Sequence, residues 1–333
     1  MNKNNYITKE VINGLTISNI KTILIAGGAG FIGSHLCKKL LNDGHKIICL
    51  DNLLTGKIEN IKSIMNYKNF TFINKDIIEP IELNEKLDEI YNLACPASPP
   101  KYQKNPIYTS KINFMGTLHL LELAKKNKCK ILLSSTSEIY GEPEVSPQSE
   151  KYRGNVNTIG IRSCYDEGKR IAETLMMDYH KEHNIDIKIA RIFNTYGPNM
   201  DKFDGRVVTN FIRQILNDED ITIYGNGSQT RCFCYIDDQI DGLTKLMNST
   251  YNMPINIGNT YEISVKELAN ILLKLINTDS KLVYSPIPLD DPTNRKPDIT
   301  LAKQILDWKP FTSIEDGLLK TISFIKKTSS NKM

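Results

Sequence analysis

The chain has 333 residues, of which 40% are hydrophobic and 24% are charged, and its formal net charge is +4. It is long enough for one large α/β unit with a smaller annex, or for two domains, and its composition excludes a stapled miniprotein or a largely disordered protein. Lysine and arginine are scattered among acidic residues, which excludes the basic stripe of a nucleic-acid-binding protein.

The chain ends and the cysteines indicate the cellular compartment of the protein. Residues 1–19 mix polar and isolated apolar residues, so we expect no signal peptide or membrane anchor, and flexible ends at 1–19 and 328–333. No later run approaches the roughly eighteen apolar residues of a membrane span. The seven cysteines are odd in number and lie mostly in apolar segments, which predicts reduced core residues of a cytoplasmic protein. Cys232 and Cys234 lack the spacing of a zinc site, so we expect no metal.

Short β-branched runs alternate with segments of helical period in the first part of the chain. The predicted strands are 22–26, 46–50, 70–74, 89–93, 130–134 and 187–192. The predicted helices between them include 33–42, 107–127 and 163–183. This alternation predicts an α/β fold with a Rossmann-type doubly wound parallel sheet.

The pattern changes near residue 194 to shorter pieces broken by Gly, Pro and Asn, which predicts a smaller C-terminal α/β domain for the substrate. Helical period returns over 235–247 and a short strand over 255–257, so we expect the chain to re-enter the first domain there. The predicted domains are therefore 20–193 plus 232–258, and 194–231 plus 259–327.

A glycine-rich turn follows the first predicted strand, with Gly27, Gly30 and Gly33 before a helix. Glycine allows the tight turn and lets backbone amides approach a pyrophosphate at the helix N-terminus. Asp51 lies eighteen residues after Gly33, where a carboxylate binds an adenosine ribose. Asn52 follows it in place of an arginine, which favours NAD over NADP. Asp76 suits an adenine contact or a helix cap.

Tyr165 and Lys169 are four residues apart and lie on one helix face, where the ammonium can lower the pKa of the phenol. Such a phenol can take a proton from a sugar hydroxyl while a nicotinamide oxidises the carbon. Tyr-x-x-x-Lys alone is a weak signal, because solvated helix faces often carry such pairs. The second motif, Thr136-Ser137-Glu138, ends an apolar run.

Four longer strings accompany these motifs: NLACPASPP at 92–100, YDEGKR at 165–170, RIFNTYGP at 191–198 and DDPTNRKPD at 290–298. Together they resemble the UDP-glucuronate decarboxylases (UDP-xylose synthases) of the extended short-chain dehydrogenase/reductase family, over about residues 21–324. The resemblance implies NAD-dependent conversion of UDP-glucuronate to UDP-xylose through a UDP-4-keto intermediate, with NAD regenerated. It also implies an NAD-binding first domain, a UDP-sugar-binding second domain, and a homodimer through helices 107–127 and 163–183.

The resemblance also implies roles for individual residues. Tyr165 is then the base for the C4 hydroxyl, with Lys169 as its partner and Thr136 as a hydrogen-bond donor to the same oxygen. Ser137 and Glu138 position the ring and take part in proton handling. Arg295 holds the departing carboxylate or helps to protonate C5; without the family match, a surface salt bridge with Asp290 or Asp291 is an equal alternative.

Other residues are expected to bind the two ligands. The substrate contacts implied are Tyr102, Asn194, Tyr224, Arg231 and Arg295, with Arg231 on the UDP phosphates. The cofactor contacts implied are Gly27, Gly30, Phe31, Ile32, Gly33, Asp51, Asn52, Thr55, Gly56, Asp76, Ile77, Leu93, Lys111, Tyr165, Lys169 and Arg206. Alternatively, Tyr224 is an aromatic residue of the core and not a substrate contact. Lys111 and Arg206 suit either ligand.

One departure and three rival functions stay open. Asn199 stands where relatives usually have an arginine, which removes a positive charge near the cleft. A nucleotide-sugar 4,6-dehydratase shares the fold and the tyrosine, but it usually has an acid where this chain has Ser137. A C4 epimerase has no evident need for Glu138 and Arg295. A non-catalytic NAD-sensing module predicts a damaged catalytic set, and Thr136, Tyr165 and Lys169 are intact.

Overall fold

The computed structural model describes residues 11–12, 15–16, 20–286 and 294–330. The first elements, in chain order, are β1 (Val11–Ile12), β2 (Leu15–Thr16), β3 (Thr22–Ala26), α1 (Phe31–Asn42), β4 (Lys46–Asp51), α2 (Ile58–Ile61), β5 (Phe70–Asn74), β6 (Glu89–Asn92), α3 (Pro99–Tyr102), α4 (Pro106–Lys111), α5 (Thr117–Asn127), β7 (Lys130–Thr136), α6 (Ser163–His183) and β8 (Ile187–Ile192). The 3₁₀ turns Lys62–Ile64 and Ser137–Tyr140 follow α2 and β7.

The later elements are β9 (Thr195–Tyr196), α7 (Val207–Leu216), β10 (Ile221–Tyr224), β11 (Thr230–Cys232), β12 (Cys234–Tyr235), α8 (Ile236–Asn248), β13 (Pro254–Ile257), β14 (Glu262–Ser264), α9 (Val265–Ile276), β15 (Leu282–Ser285), β16 (Asn294–Arg295), α10 (Thr300–Leu306) and α11 (Ile314–Ser330). The six strands predicted in the first part of the chain are all present, with ends within two residues of the prediction.

Seven parallel strands form the central sheet in the order β5-β4-β3-β6-β7-β8-β13. The chain builds outward from β3 to β5, then returns to place β6 on the other side of β3. This reversal opens a crevice at the carboxyl ends of β3 and β6, where doubly wound sheets bind their ligands. The predicted Rossmann-type fold is confirmed.

Alternate side chains of β3 enter two different cores. Ile23 and Ile25 pack in the layer that includes α1 and α8, whereas Leu24 and Ala26 pack in the layer with α5 and α6. Both faces of the sheet are therefore covered, which explains why its strands are apolar runs without alternation. Full burial of each isoleucine or leucine contributes about 1.5–3 kcal/mol.

The predicted helix 107–127 is a continuous rod with an irregular centre. A π-helical turn, Ile112–Gly116, joins α4 to α5. Gly116 allows this turn to approach Ile77, because a Cβ on Gly116 would lie 2.4 Å from Ile77 Cδ1. Periodicity alone did not predict the turn.

The second half of the chain forms smaller sheets. β11 pairs antiparallel with β14 and parallel with β16, and β10 pairs parallel with β15. α8 and β13 return to the central sheet, where β13 pairs with β8. α11 runs to Ser330, and most of the ends predicted to be flexible, 1–19 and 328–333, lies outside the described residues. All seven cysteines are free thiols.

Candidate active site

Glycines shape the turn between β3 and α1. Gly27 has a φ of +79°, and a Cβ there would lie 2.7 Å from the carbonyl carbon of Leu93. A Cβ on Gly33 would lie 2.1 Å from the carbonyl oxygen of Gly27. Gly30 directly precedes α1, whose first backbone N–H groups have no partner within the helix. Phe31 and Ile32 complete this edge of the cavity. The turn has room for a pyrophosphate because glycine has no side chain. A Cβ at Gly27 or Gly33 would fill that space.

Asp51 ends β4 beside this turn. Its Oδ2 accepts a hydrogen bond from Ala29 N at 3.0 Å and its Oδ1 accepts one from Leu53 N at 2.8 Å. Burial raises the pKa of Asp51 although these N–H groups oppose the change. The carboxylate is thus fixed where a ribose would need an acceptor.

Asn52 and Asp76 form the outer rim with a residue that the sequence did not single out. Asn52 Nδ2 donates to Asp76 Oδ2 at 2.8 Å and to the Tyr108 hydroxyl at 2.7 Å. The Tyr108 hydroxyl donates to Asp76 Oδ2 at 2.6 Å. Asp76 is therefore fixed in the cavity wall by side chains from two other segments.

Tyr165 and Lys169 lie in the first turns of α6, next to Thr136 at the end of β7. Lys169 Nζ donates to the Ser134 carbonyl at 2.8 Å and lies 5.9 Å from the centroid of the Tyr165 ring. Burial raises the pKa of Tyr165, while a hydrogen bond with Thr136 lowers it in part. Burial also lowers the pKa of Lys169. Burial therefore dominates the pKa of this phenol, and the effect of Lys169 on it stays a prediction.

Tyr102, at the end of α3, stacks on Tyr165. The ring centroids are 4.9 Å apart and the rings are within 7° of parallel. The Tyr102 hydroxyl is buried and has no hydrogen-bond partner among the described residues. An unpaired buried hydroxyl costs about 1–3 kcal/mol, so this atom is available to a ligand.

Glu138 lies between two arginines. Its Oε2 accepts hydrogen bonds from Arg162 Nη2 and, at 3.4 Å, from Arg295 Nη2. Ser137 Oγ donates to its Oε1 at 3.5 Å. Burial alone would raise the pKa of Glu138, but the two guanidiniums hold it down to about 2. Glu138 is consequently ionised at neutral pH.

Asp166 lies behind this cluster, with Oδ2 at 4.0 Å from Arg162 Nε. Its Oδ1 is buried without a hydrogen-bond partner in the described ranges. Burial and the nearby charge of Glu138 raise the pKa of Asp166 to about 7. The site therefore contains two carboxyl groups with opposite pKa shifts.

The second half of the chain contributes the other wall. Arg231 and Arg295 lie on the paired strands β11 and β16, and both are buried. Tyr224 ends β10 at the mouth of the cavity. Its side chain is 44% exposed, so the alternative interpretation of Tyr224 as a core aromatic is wrong. Arg206 Nη2 donates to the Ala97 carbonyl at 2.8 Å, which ties it to the loop after β6. Asn194 follows β8 and lines the same wall.

All but two of the predicted site residues line one cavity of about 870 Å³. Gly56 packs under Asp51 instead, since a Cβ on Gly56 would lie 2.7 Å from Asp51 Oδ1. Lys111 ends α4 with an exposed side chain and does not line the cavity. The cavity is lined by residues from the glycine turn to Tyr224.

Arg162 lines the cavity beside Glu138 and, like Tyr108 and Asp166, was not predicted from the sequence. Its spacing to Asp166, i and i+4 at the start of a helix, was the available signal. Its contact with Glu138 joins residues that are 24 positions apart, and no periodicity predicts it. The alternative for Arg295, an ion pair with Asp290 or Asp291, involves residues outside those described.

Asn199 has a local reason for its identity. It adopts a left-handed φ of +66° and its Nδ2 donates to Ser34 Oγ at 3.0 Å. Asparagine tolerates this conformation better than most residues. The chain therefore anchors this loop to α1 by a side-chain amide.

Two features are absent from the described part of the chain. No helix there combines the length and apolar character needed to cross a bilayer. No group of three or more His, Cys, Asp or Glu side chains there is arranged to hold a metal ion.

Comparison with known proteins gives consistent similarities. A family model described as GDP-mannose 4,6 dehydratase matches residues 24–321. UDP-glucuronic acid decarboxylase 5 of Arabidopsis thaliana is 52% identical over 302 residues, covering 90% of this chain and 88% of that protein. UDP-glucuronic acid decarboxylase 1 of Xenopus tropicalis is 50% identical over 307 residues, covering 92% of this chain and 72% of that protein.

A solved structure shares the whole architecture. The UDP-glucuronic acid 4-epimerase of Bacillus cereus, in complex with UDP-glucuronic acid and NAD, superposes with a TM-score of 0.84 at 32% identity. The match covers 92% of this chain and 99% of that chain.

Proposed function

The chain belongs to the extended short-chain dehydrogenase/reductase family, and we propose that it converts UDP-glucuronate to UDP-xylose by NAD-dependent decarboxylation through a UDP-4-keto intermediate. The Arg162–Glu138–Arg295 cluster in the cavity of Tyr165 carries this proposal. Two guanidiniums around one carboxylate leave a positive charge, which Asp166 offsets only in part. That charge suits the carboxylate of a uronic acid. The names of the relatives support the same substrate.

The crevice fits NAD on the observations above: a glycine turn that a Cβ would fill, and the fixed carboxylate of Asp51. Bound NAD would supply the oxidising equivalent for C4 at the start of the cycle and, as NADH, the reducing equivalent at its end. Gly27, Gly30 and Gly33 would hold its pyrophosphate, and Asp51 its ribose.

Tyr165 acts on the C4 hydroxyl. Its phenolic oxygen takes the hydroxyl proton as C4 is oxidised and returns a proton to the C4 oxygen when the ketone is reduced. Thr136 donates a hydrogen bond to the same oxygen, and Lys169 stabilises the phenolate. Since burial raises the pKa of Tyr165, the ammonium is needed when the phenolate forms.

Decarboxylation follows from the position of the ketone. A C4 carbonyl is β to the C6 carboxylate, so the C5–C6 bond breaks with its electron pair moving into a C4–C5 enolate as carbon dioxide leaves. Arg295 orients the carboxylate, and Glu138 and Ser137 position the ring. Because Glu138 is ionised, it does not itself supply the proton that enters at C5, and the reaction takes up that proton from solvent as carbon dioxide leaves.

The nucleotide half of the substrate is assigned to the other wall. Arg231 binds the diphosphate, and Asn194 and Tyr224 line the groove for the uridine and the sugar. Tyr102 offers its unpaired hydroxyl to the sugar.

The pKa of Glu138 argues against the rival dehydratase. Dehydration requires an acid to protonate the departing C6 hydroxyl, whereas Ser137 is a weak acid and the pKa of Glu138 is held near 2. A 4-epimerase acting on the same uronic acid would retain the carboxylate, so its product differs in mass from that of a decarboxylase.

Incubation of the purified protein with UDP-glucuronate and NAD tests the proposal. A product lighter by one carbon dioxide supports it. An isomer of unchanged mass supports an epimerase, and unaltered substrate with bound NAD supports a sensor. Conversion of UDP-glucose to a product lighter by one water supports a dehydratase.

A homodimer is also proposed, through the outer faces of α4, α5 and α6. Ile107 on α4, Phe114 and Met115 on the π-helical turn between α4 and α5, and Ile171 on α6 are between 38% and 70% exposed. Four apolar side chains on neighbouring helices suit a helix bundle with a second copy. Phe114→Lys with Ile171→Glu is expected to halve the molar mass measured by light scattering, whereas an unchanged mass would contradict this interface.

A reducing compartment, the cytoplasm, is proposed from the seven free cysteines. Recovery of the native protein in an oxidised, extracellular fraction would contradict it.

A further inference from the structure

The strand that carries Arg295 is held from two sides. On one side β16 pairs with β11, so that Arg295 lies opposite Arg231. On the other side lies Gln148, from the loop between β7 and α6, with no exposed surface. Gln148 therefore connects the part of the chain that carries Thr136 and Glu138 to the strand that carries Arg295.

Gln148 binds residues before and after Arg295. Its backbone N–H donates to the Lys296 carbonyl at 2.8 Å, and the Lys296 N–H donates to its Oε1 at 2.9 Å. Its Nε2 donates to Asn294 Oδ1 at 3.3 Å and to the Val145 carbonyl at 2.8 Å. The Asp298 N–H donates to the Gln148 carbonyl at 2.9 Å. The backbone around Arg295 is consequently held by Gln148 on one side and by β11 on the other.

Asn256 attaches this contact to the central sheet. Its Nδ2 donates to the carbonyls of Gln148 and Asp298 at 2.9 and 3.0 Å, and its Oδ1 accepts from the Tyr140 hydroxyl at 2.7 Å. A buried carboxamide is favourable only when its polar atoms are paired, and those of Gln148 are.

The guanidinium of Arg295 has weaker support of its own. Its Nη2 reaches Glu138 at 3.4 Å and its Nη1 reaches the Asn294 carbonyl at 3.5 Å. Its Nε is buried and has no hydrogen-bond partner in the described part of the chain. The place of the guanidinium thus depends mainly on the position of its backbone.

We propose that Gln148 is a positioning residue for Arg295 and that it sets the preference of the site for a sugar with a carboxylate. The inference rests on the proposed function, because the carboxylate is that of UDP-glucuronate. A shift of about 1 Å in a positioning group can cost roughly 100-fold in rate, so this clamp would matter for turnover.

Gln148→Met tests the proposal, since it keeps the side-chain volume and removes the side-chain hydrogen bonds. We expect a roughly 10- to 100-fold fall in kcat/KM for UDP-glucuronate. The inhibition constant of UDP-glucose, which lacks the carboxylate, should change by less than about twofold, within ordinary surface effects. An equal fold-change in kcat/KM for UDP-glucuronate and in the inhibition constant of UDP-glucose would overturn the proposal.

A double-mutant cycle with Arg295→Ala, measured by the dissociation constant of UDP-glucuronate because Arg295→Ala is expected not to turn over, separates action through Arg295 from a general structural loss. If Gln148 acts through Arg295, the double variant is no worse than Arg295→Ala alone, whereas additive losses would overturn the inference. Gln239→Met is the matched control, because Gln239 is equally buried but accepts a hydrogen bond from Thr195. It is expected to leave the discrimination between the two sugars unchanged.

Amide hydrogen exchange tests the clamp without any turnover. The Lys296 N–H loses its acceptor in Gln148→Met, so its exchange should accelerate at least about tenfold. The Asp298 N–H keeps its backbone acceptor and serves as the internal reference. Unchanged exchange at Lys296 would overturn the clamp. If the parent protein does not decarboxylate UDP-glucuronate, the proposed function fails while this readout remains valid.

Discussion

Arg231 and Arg295 lie opposite each other on the parallel strands β11 and β16, so their side chains leave the sheet on the same face. Both are buried in the wall of the cavity that contains Tyr165. Two adjacent cations suit a ligand with two separate anionic groups, and a nucleotide uronic acid has a diphosphate and a carboxylate.

The two arginines are expected to differ in the ligands they discriminate. Arg231→Met should weaken the binding of UDP-glucuronate and of UDP-glucose alike, by roughly 10- to 100-fold, because both sugars carry the diphosphate. Arg295→Met should weaken the binding of UDP-glucuronate but not that of UDP-glucose, while NAD binding is retained. Direct titration of each nucleotide sugar into the NAD-bound protein, followed by calorimetry, measures the difference. Equal effects of the two substitutions on both sugars would contradict the assignment.

Tyr165 should determine the alkaline rise of activity. Because burial raises the pKa of Tyr165, the fraction of phenolate increases with pH well beyond neutrality. We therefore expect kcat/KM to rise between about pH 7 and pH 9, and Tyr165→Phe to lose about 10²–10⁴-fold. A profile that falls over this interval, or a fully active Tyr165→Phe, would contradict its role as the base.

Asp166 should make the protein less stable as the pH rises. Its pKa is raised from 3.8 to about 7 by burial and by Glu138, so the folded state binds this proton more tightly than the unfolded state. The resulting stabilisation is complete below about pH 4 and is lost as the pH rises through about 7. The melting temperature of Asp166→Asn relative to wild type should increase from pH 4 to pH 8. A constant difference would show that Asp166 has an ordinary pKa.

Glu138 should show the opposite dependence. Its pKa is lowered from 4.5 to about 2 because the two guanidiniums outweigh burial, so its stabilisation is present above about pH 4.5 and is lost on acidification toward pH 2. The difference in the free energy of unfolding between wild type and Glu138→Gln should therefore shrink between pH 5 and pH 3, as urea denaturation can measure. We also expect Glu138→Gln to abolish turnover and retain NAD. A full-activity variant would contradict its role.

Local sequence patterns predicted the fold because the glycine turn, the apolar strands and the helix periods are all local signals. Gly27, Asp51, Thr136 and Tyr165 each lie at or within two residues of an end of such an element, and a parallel sheet brings these ends together. The predicted cavity wall therefore follows from topology.

Long-range contacts and burial were not predictable in the same way. Arg162 meets Glu138 only after the loop between β7 and α6 folds back. The direction of the pKa shift of Tyr165 depends on how deeply the phenol is buried, which spacing does not reveal. Lys111 faces away from the cavity, next to a π-helical turn that its sequence does not mark.

The most direct measurement uses UDP-glucuronate labelled with ¹³C in its carboxylate, incubated with the protein and NAD. We predict labelled carbon dioxide in equal amount to UDP-xylose, with no net reduction of NAD. Arg295→Ala should release none while it still binds NAD. Label that stays in the nucleotide sugar, despite bound NAD and intact Tyr165, would contradict decarboxylation as the function of this chain.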